Sequence, residues 1–278
     1  MAKIDIKNDI QLGTVQETLL LPLLARAEES TWKNPILKDE KALELVNSLH
    51  FDKHIAKKHI TDIGILGLAV RAYKMDKIIK KYINLNPEGK VLNIGAGLDT
   101  AFYRCDNGKV LWYDLDLPDS MALRKKLLPI DNPRVTEIAK SMFDYTWMED
   151  IEDVSKGLLI FIPGVLPYFK EADIKPLFRE ISLRLKGAEV IFDSTNDIAR
   201  YFIGRKIKKA GMPNTNLGWG LWHPLQLHNM SSAIKVVTFE PFFKGIPRRS
   251  SYGVLLNSFM NANDLFRTTN LVHIKFKD

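Results

Sequence analysis

The chain has 278 residues, and its 40 Lys and Arg against 33 Asp and Glu leave a formal charge of +7. With 46% hydrophobic and 26% charged residues, its composition is that of an ordinary globular protein, which excludes a disordered chain and a collagen-like repeat. Cys105 is the single cysteine, so an intramolecular disulfide and a cysteine-rich zinc site are excluded, and a reducing compartment is the easier reading.

At the start of the chain, Met1 to Ile10 mixes Lys3, Asp5, Lys7 and Asp9 into its apolar residues, which is not the pattern of a signal peptide. A cytoplasmic location is expected. From Gly13 to Lys81 the apolar spacing is helical. Leu19, Leu20, Leu23, Leu24 and Ala27 mark one helix, and Ala42, Leu45, Val46 and Leu49 a second, with Asn34-Pro35 between them. A third runs from Ile63 to Ile83 and is closed by the Asn and Gly punctuation of Asn84 to Gly89.

After Gly89 the pattern changes to strand, glycine turn, helix, strand. Strands are expected at Lys90–Ile94, Val110–Leu115, Val135–Ala139, Leu158–Ile162, Val190–Asp193, Lys235–Phe239 and Leu271–Lys277, with helices at Glu171–Leu185 and Asp197–Lys209. This alternation predicts an α/β fold, a mostly parallel sheet covered on both faces. The longest apolar stretch, Gly157 to Phe169, is interrupted by Pro163 and Pro167 and is well short of the roughly 20 residues of a spanning helix. No membrane partner is expected. One domain covers 1–278, with a helical cap at 1–85, an α/β core at 86–278 and an acceptor lid around 196–230.

The most informative segment is Val91-Leu92-Asn93-Ile94-Gly95-Ala96-Gly97-Leu98-Asp99-Thr100. Gly95 and Gly97 let the backbone turn sharply and approach a ligand, and the helix that follows is expected to aim free N–H groups at it. Thr100 stands where a dinucleotide fingerprint would place a third glycine, so a ligand without phosphates is favoured. Asp114 and Asp116 close the second strand, where an acid can accept hydrogen bonds from ribose hydroxyls. In that order these features point to S-adenosylmethionine. The competing explanation is a plain chain reversal, with either acid capping the helix after Pro118.

Gly95-Ala96-Gly97-Leu98-Asp99-Thr100, Trp112-Tyr113-Asp114-Leu115-Asp116-Leu117-Pro118 and the basic run Arg124 to Leu128 together resemble the leucine carboxyl methyltransferase family, which includes tetracenomycin-type polyketide O-methyltransferases. The resemblance extends to Glu17-Thr18-Leu19 through Ala25-Arg26-Ala27, to Arg71, to Asp144-Tyr145-Thr146-Trp147 and to Gly164-Val165-Leu166-Pro167-Tyr168-Phe169. It implies a class I methyltransferase, Rossmann-like, with a seven-stranded sheet whose last strand is antiparallel. It also implies an O-methyltransferase activity on a carboxylate or hydroxyl of a small-molecule acceptor. By the same resemblance Arg71 pairs with the methionine carboxylate, Gly95 and Gly97 line the cofactor, and Asp116 binds the ribose with Asp114 beside it. Asp144 and Tyr145 sit near the adenine, and Tyr168 near the transferred methyl.

Three positions depart from the family pattern: Asn93 and Pro163 where acids are common, and Ala101 where an arginine is. They keep open a cofactor-binding protein with little catalysis. An RNA or protein methyltransferase is the other alternative, resting on Arg205, Lys206, Lys208, Lys209, Arg248 and Arg249. Near-balanced charge and the absence of an RNA-binding signature argue against nucleic acid. Arg71 shares its helix with Lys74, Lys77 and Lys80, so a solvated basic face is the alternative for it. The same explanation fits His50, His54 and His59 among their lysines better than a metal site does.

Overall fold

The computed structural model describes residues 4–5, 15–50, 60–151, 153–209 and 217–277, with the side chains of 4–5, 15–18, 50 and 206–209 left aside. A two-residue parallel ladder joins β1 (Ile4–Asp5) to β2 (Leu49–His50). Three helices precede the main sheet: α1 (Val15–Ser30), α2 (Glu40–Ser48) and α3 (Asp62–Leu85). Asp39 caps α2 by accepting from Ala42 N–H, and Thr61 caps α3 through Gly64 N–H, the placement expected of short oxygen-bearing side chains.

The sheet elements follow in the order β3 (Lys90–Ile94), α4 (Ala101–Cys105), β4 (Leu111–Asp116), α5 (Pro118–Leu127), β5 (Val135–Ala139) and β6 (Leu158–Ile162). Then come α6 (Glu171–Arg184), β7 (Glu189–Thr195), α7 (Asp197–Lys209), β8 (Ile234–Pro241), α8 (Gly253–Phe266) and β9 (Thr269–Phe276). Spatially the strands run β5-β4-β3-β6-β7-β9-β8. β5 to β7 pair in parallel, and β9 is antiparallel to both its neighbours. The seven expected strands are all present, and the last is the antiparallel one. Helix α8 is an element that the sequence pattern does not announce.

Alternation along the strands sorts the core into two layers. Leu92, Ile94, Ile160, Ile162, Val190 and Phe192 face Ile174, Phe178 and Ile181 of α6. Val91, Trp112, Leu159, Phe161 and Ile191 face Met75, Ile79 and Ile83 of α3 and Phe102 of α4. Helix α3 therefore covers the sheet directly. Leu20, Leu23 and Leu45 of α1 and α2 pack with Leu123 and Leu127 of α5 and with Leu98 of the glycine turn, so the N-terminal helices rest on the loop that follows β3.

Strand order reverses at β3, whose neighbours are β4 on one side and β6 on the other. Open α/β sheets bind ligands outside the carboxyl ends of their strands at such a point. The glycine turn lies there.

Candidate active site

The turn after β3 is tied to the end of β4. Gly95 and Ala96 N–H both donate to Leu115 O at 2.8 and 3.1 Å. Gly97 N–H donates to Asp116 Oδ2 at 2.7 Å, and Leu117 N–H to Asp116 Oδ1 at 2.7 Å. Each carboxylate oxygen of Asp116 keeps a lone pair for a ligand. Burial pushes the Asp116 pKa up, against the two backbone N–H groups that lower it. Gly95 holds φ at +74°, and a Cβ there would overlap Val165; only glycine fits this turn. With the amides of Gly95, Ala96, Gly97 and Asp99 all bonded within the protein, the turn offers no cradle for a diphosphate, in line with the missing third glycine.

Two buried arginines hold the other side of the turn. Arg124 Nη1 donates to Gly97 O and Asp99 O at 2.9 and 2.8 Å, and Arg26 Nη2 donates to Leu98 O at 2.9 Å. Three successive carbonyls are thus drawn towards guanidiniums. Arg26 also meets Asp39 at 2.9 Å, and Asp39 meets Arg104 and Thr100 at 2.7 and 2.6 Å. Arg26 lies in the Ala25-Arg26-Ala27 string of the family resemblance with no role implied for it, and the sequence does not single out Asp39. A lone charge in the apolar helix Leu19 to Ala27 is the available signal for Arg26, whereas Asp39 is hidden in the charged run Lys38 to Lys41 as the N-cap of α2.

Two expectations need correction in geometry. Asp114 is fully buried, and its oxygens are engaged by Trp112 Nε1 at 3.0 Å and Arg124 Nη2 at 2.6 Å. It offers no surface to a ribose; it anchors Arg124 beneath the turn. The helix after the turn, α4, has only five residues, and its Ala101 and Tyr103 N–H groups are taken by Asp99 Oδ1 at 2.6 Å and Thr100 O at 3.1 Å, so these amides are not free for a ligand.

A second group of side chains lies at the ends of β6 and β7. Asp193 Oδ1 accepts Gly164 N–H at 2.5 Å, while its Oδ2 is 3.7 Å from Arg71 Nη1. Gly164 leaves the space that the Arg71 guanidinium fills. Arg71 is 15% exposed, and no described residue hydrogen-bonds to it, so its donor fork is open to a ligand. Tyr168, in the turn Leu166–Tyr168, is 41% exposed. Burial pushes its hydroxyl pKa up; Arg71 pulls it down and Asp193 pushes it further up, so all three share one electrostatic neighbourhood. Val165 links this group to Gly95. Asp193 is the residue of this group that the sequence did not single out.

Asn93, at the end of β3, is buried with its Oδ1 unpartnered. Asp144 is exposed and accepts from Thr146 N–H and Oγ1 at 3.2 and 2.8 Å, and these bonds, the side-chain one foremost, lower its pKa. Tyr145 is half-buried, and burial raises its hydroxyl pKa. Beyond the sheet ends, Gly218 and Trp219 N–H donate to Pro167 O at 2.8 and 3.4 Å, which lays 217–221 against the turn that carries Tyr168. His223 caps the following turn through Leu225 N–H.

His54 and His59, with Lys53, Lys57 and Lys58, lie outside the described residues, as do the side chains of Glu17, Thr18, His50, Lys206, Lys208 and Lys209. Arg248 is paired with Asp264 at 2.7 Å, and Arg249 donates to Asn34 O. Among the described residues no group of three metal-ligating side chains occurs, and no helix is long and apolar enough to cross a membrane.

The strand order, the glycine turn at its reversal and Asp116 beside Gly97 define a class I S-adenosylmethionine-dependent methyltransferase. Residues 20–182 match the model of the leucine carboxyl methyltransferase family, and the chain belongs to that family. It is similar to the tetracenomycin polyketide synthesis O-methyltransferase TcmP of Streptomyces glaucescens, at 29% identity over 225 residues that cover 79% of this chain and 80% of that one. It is also similar to the S-adenosyl-L-methionine-dependent methyltransferase dpfgK of Gibberella zeae, at 22% identity over 94% of this chain and 93% of that one. A solved structure from Thermobifida fusca assigned as a methyltransferase shares the fold, with a TM-score of 0.60 at 14% identity, covering 91% of this chain and 94% of that one. The protein is an enzyme, and S-adenosylmethionine is its cofactor.

Proposed function

We propose that the protein is an O-methyltransferase that methylates a carboxylate or hydroxyl of a small molecule. The structural observation behind this reading is Arg71: a mostly buried guanidinium with its donors open, fixed beside Gly164, Asp193 and Tyr168 at the ends of β6 and β7, next to the glycine turn through Val165. A guanidinium fork suits the carboxylate of a methionine moiety. Asp116 accepts the ribose hydroxyls, Gly95 and Gly97 allow the close approach, and Asp144 and Tyr145 flank the adenine. Asn93 offers a neutral acceptor where the family often carries charge. Helices α1 and α2 form the cap and the described residues of 196–209 and 217–230 the acceptor side, with the chain working as one domain in the cytoplasm.

The bound cofactor supplies a methyl group activated by a sulfonium. The protein supplies alignment, worth up to about 7–11 kcal/mol of a barrier in favourable cases. Tyr168, with its pKa raised, keeps its proton near neutral pH and donates a hydrogen bond to the acceptor oxygen. A carboxylate acceptor is already ionised and needs no base, whereas a phenol with a pKa of about 10 benefits from one. The name of the Streptomyces relative, a polyketide-synthesis O-methyltransferase, supports an oxygen acceptor on a polyketide-like metabolite.

The test is incubation of metabolite extracts with cofactor carrying an isotopically labelled methyl group, followed by mass spectrometry. A labelled product that releases methanol in mild alkali is a methyl ester; an alkali-stable one is an ether. Label found only on nitrogen, or only on protein or RNA, rejects the reading.

A further inference from the structure

A cleft of about 520 Å³ lies between the segment Ile36–Glu44, one face of α3 and the end of α4. It shares no residue with the group around Arg71, Gly95, Asp116 and Tyr168. Its floor is electrostatically closed. Arg104 meets Asp76 twice, at 2.7 and 3.0 Å, and its remaining nitrogen goes to Asp39 at 2.7 Å. On one wall Lys41 is paired with Glu44 at 2.9 Å.

The rim is different. Lys38, Lys77 and Lys80 line the cleft, are exposed, and have no carboxylate partner among the described residues. Glu40 is the one lining acid left without a cation. Three cations outside any close ion pair, of which Lys80 also faces the Arg104-paired Asp76, stand against one unpaired acid and leave the mouth net positive, which suits a multiply charged anion.

Aromatic and apolar side chains, Tyr73, Tyr103, Ile36 and Leu37, line the same cleft. Lys77 Nζ stands 5.4 Å from the centroid of the Tyr73 ring, and Lys41 Nζ stands 5.2 Å from that of Tyr103. Tyr73, Lys77 and Lys80 lie at spacings of four and three on α3, hence on one helix face. At 1.5 Å per residue, Tyr73 and Lys80 are separated by about 10 Å along the axis. Lys77 therefore stands beside the Tyr73 ring, and Lys80 extends the cationic rim along the same helix face, so one small aromatic molecule carrying an anionic group can touch all three.

We propose that this cleft binds a small aromatic phosphate, with the ring against Tyr73 and the phosphate at Lys77 and Lys80, as a site separate from that of the cofactor. Two features of the ligand follow from the chemistry. A dianion gains more than a monoanion from paired lysines, and a ring adds stacking and apolar contact that a free phosphate lacks.

The experiment is calorimetric titration of the protein saturated with S-adenosylhomocysteine, so that the adenosine site is closed, using phenyl phosphate, benzoate and inorganic phosphate as probes at fixed ionic strength. Phenyl phosphate is expected to bind one molecule per chain, about tenfold more tightly than either of the other probes. Lys77→Ala and Lys80→Ala should each weaken it by about fivefold, and Lys235→Ala, a change at an exposed lysine of β8, should not. Equal binding of phenyl phosphate and inorganic phosphate overturns the proposal. So does binding indifferent to Lys77→Ala and Lys80→Ala, or the absence of binding at low millimolar concentrations. Both lysines are exposed, and unchanged circular dichroism identifies folded variants. Failure of S-adenosylhomocysteine itself to bind would count against the active-site reading, and the phenyl phosphate titration would still decide the cleft.

Discussion

Arg71 Nη1 lies 3.7 Å from Asp193 Oδ2, while Asp193 Oδ1 accepts the Gly164 N–H at 2.5 Å. One carboxylate thus fixes the backbone after β6 and faces the guanidinium that lies over it. Asp193 is a positioning residue for Arg71. Arg71→Ala should weaken S-adenosylhomocysteine binding by about 1.5–3 kcal/mol, roughly ten- to a hundredfold, the range for hydrogen bonds to charged groups. Asp193→Asn keeps an acceptor for Gly164 N–H but removes the charge facing Arg71. It should raise the KM for the cofactor more than it lowers kcat, whereas a purely structural loss would lower the amount of folded enzyme and leave KM alone. Calorimetry and steady-state kinetics together separate these outcomes.

Asp114 and Asp116 stand two residues apart on β4 and do different work. Asp114 is fully buried against Arg124 at 2.6 Å, so Asp114→Ala leaves that guanidinium with only the more distant Glu137, at 3.9 Å, as a carboxylate partner and should cost about 3 kcal/mol of stability. Asp116 reaches Gly97 at the edge of the turn. Asp116→Ala should lower cofactor affinity at least about tenfold and shift the urea midpoint far less. A cofactor-binding loss in folded Asp114→Ala equal to that in Asp116→Ala would return the ribose role to Asp114.

Much of the sheet was legible because its strands are short apolar runs bounded by glycine or polar turns. Lys90–Ile94 and Leu158–Ile162 are buried along their whole length, and their limits can be read directly. Helix α8 was not legible. Val254, Leu255, Leu265 and Phe266 are exposed beside buried Leu256 and Met260, so apolar residues on both faces erase the helical period. The glycine turn and Asp116 were readable as a local motif. The pairing of Arg71 with Asp193, and the chain from Arg26 through Asp39 to Arg104, join residues from distant segments, and no local spacing encodes them. Asp114 misled because a carboxylate at a strand end looks the same in sequence whether it faces a ligand or a buried arginine.

Tyr168 lies in the turn after β6 with its hydroxyl pKa pushed up by burial, against the pull of Arg71. A protonated phenol can donate to an acceptor oxygen but cannot take its proton. Tyr168→Phe should therefore lower kcat by about tenfold, the worth of one hydrogen bond to a charged oxygen. S-adenosylhomocysteine affinity should stay nearly constant. The fall should be uniform across neutral pH, because no titration of this group is removed there. Unchanged turnover in the Phe variant would remove Tyr168 from the acceptor site.

Asp39 sets the acid limit of the cap. Burial alone would raise its pKa, but Arg104 at 2.7 Å and Arg26 at 2.9 Å outweigh that and hold it below the usual carboxylate range. The unfolded chain protonates an aspartate at about pH 3.9, whereas the folded chain resists until a lower pH. The stability from this site is therefore complete above the unfolded pKa and is lost as pH falls through the folded one. Asp99, lowered by Arg26 and Arg104 against its burial, adds in the same direction. Asp39→Asn should cost about 3 kcal/mol or more at pH 7, since it leaves buried Arg26 without its paired carboxylate and takes one of the acids from Arg104, which keeps Asp76. The gap to the parent protein should narrow as the pH is brought towards 3. Urea midpoints measured at pH 7, 5 and 3.5 read this out, and a constant offset across that range would show that Asp39 contributes by packing and not by charge.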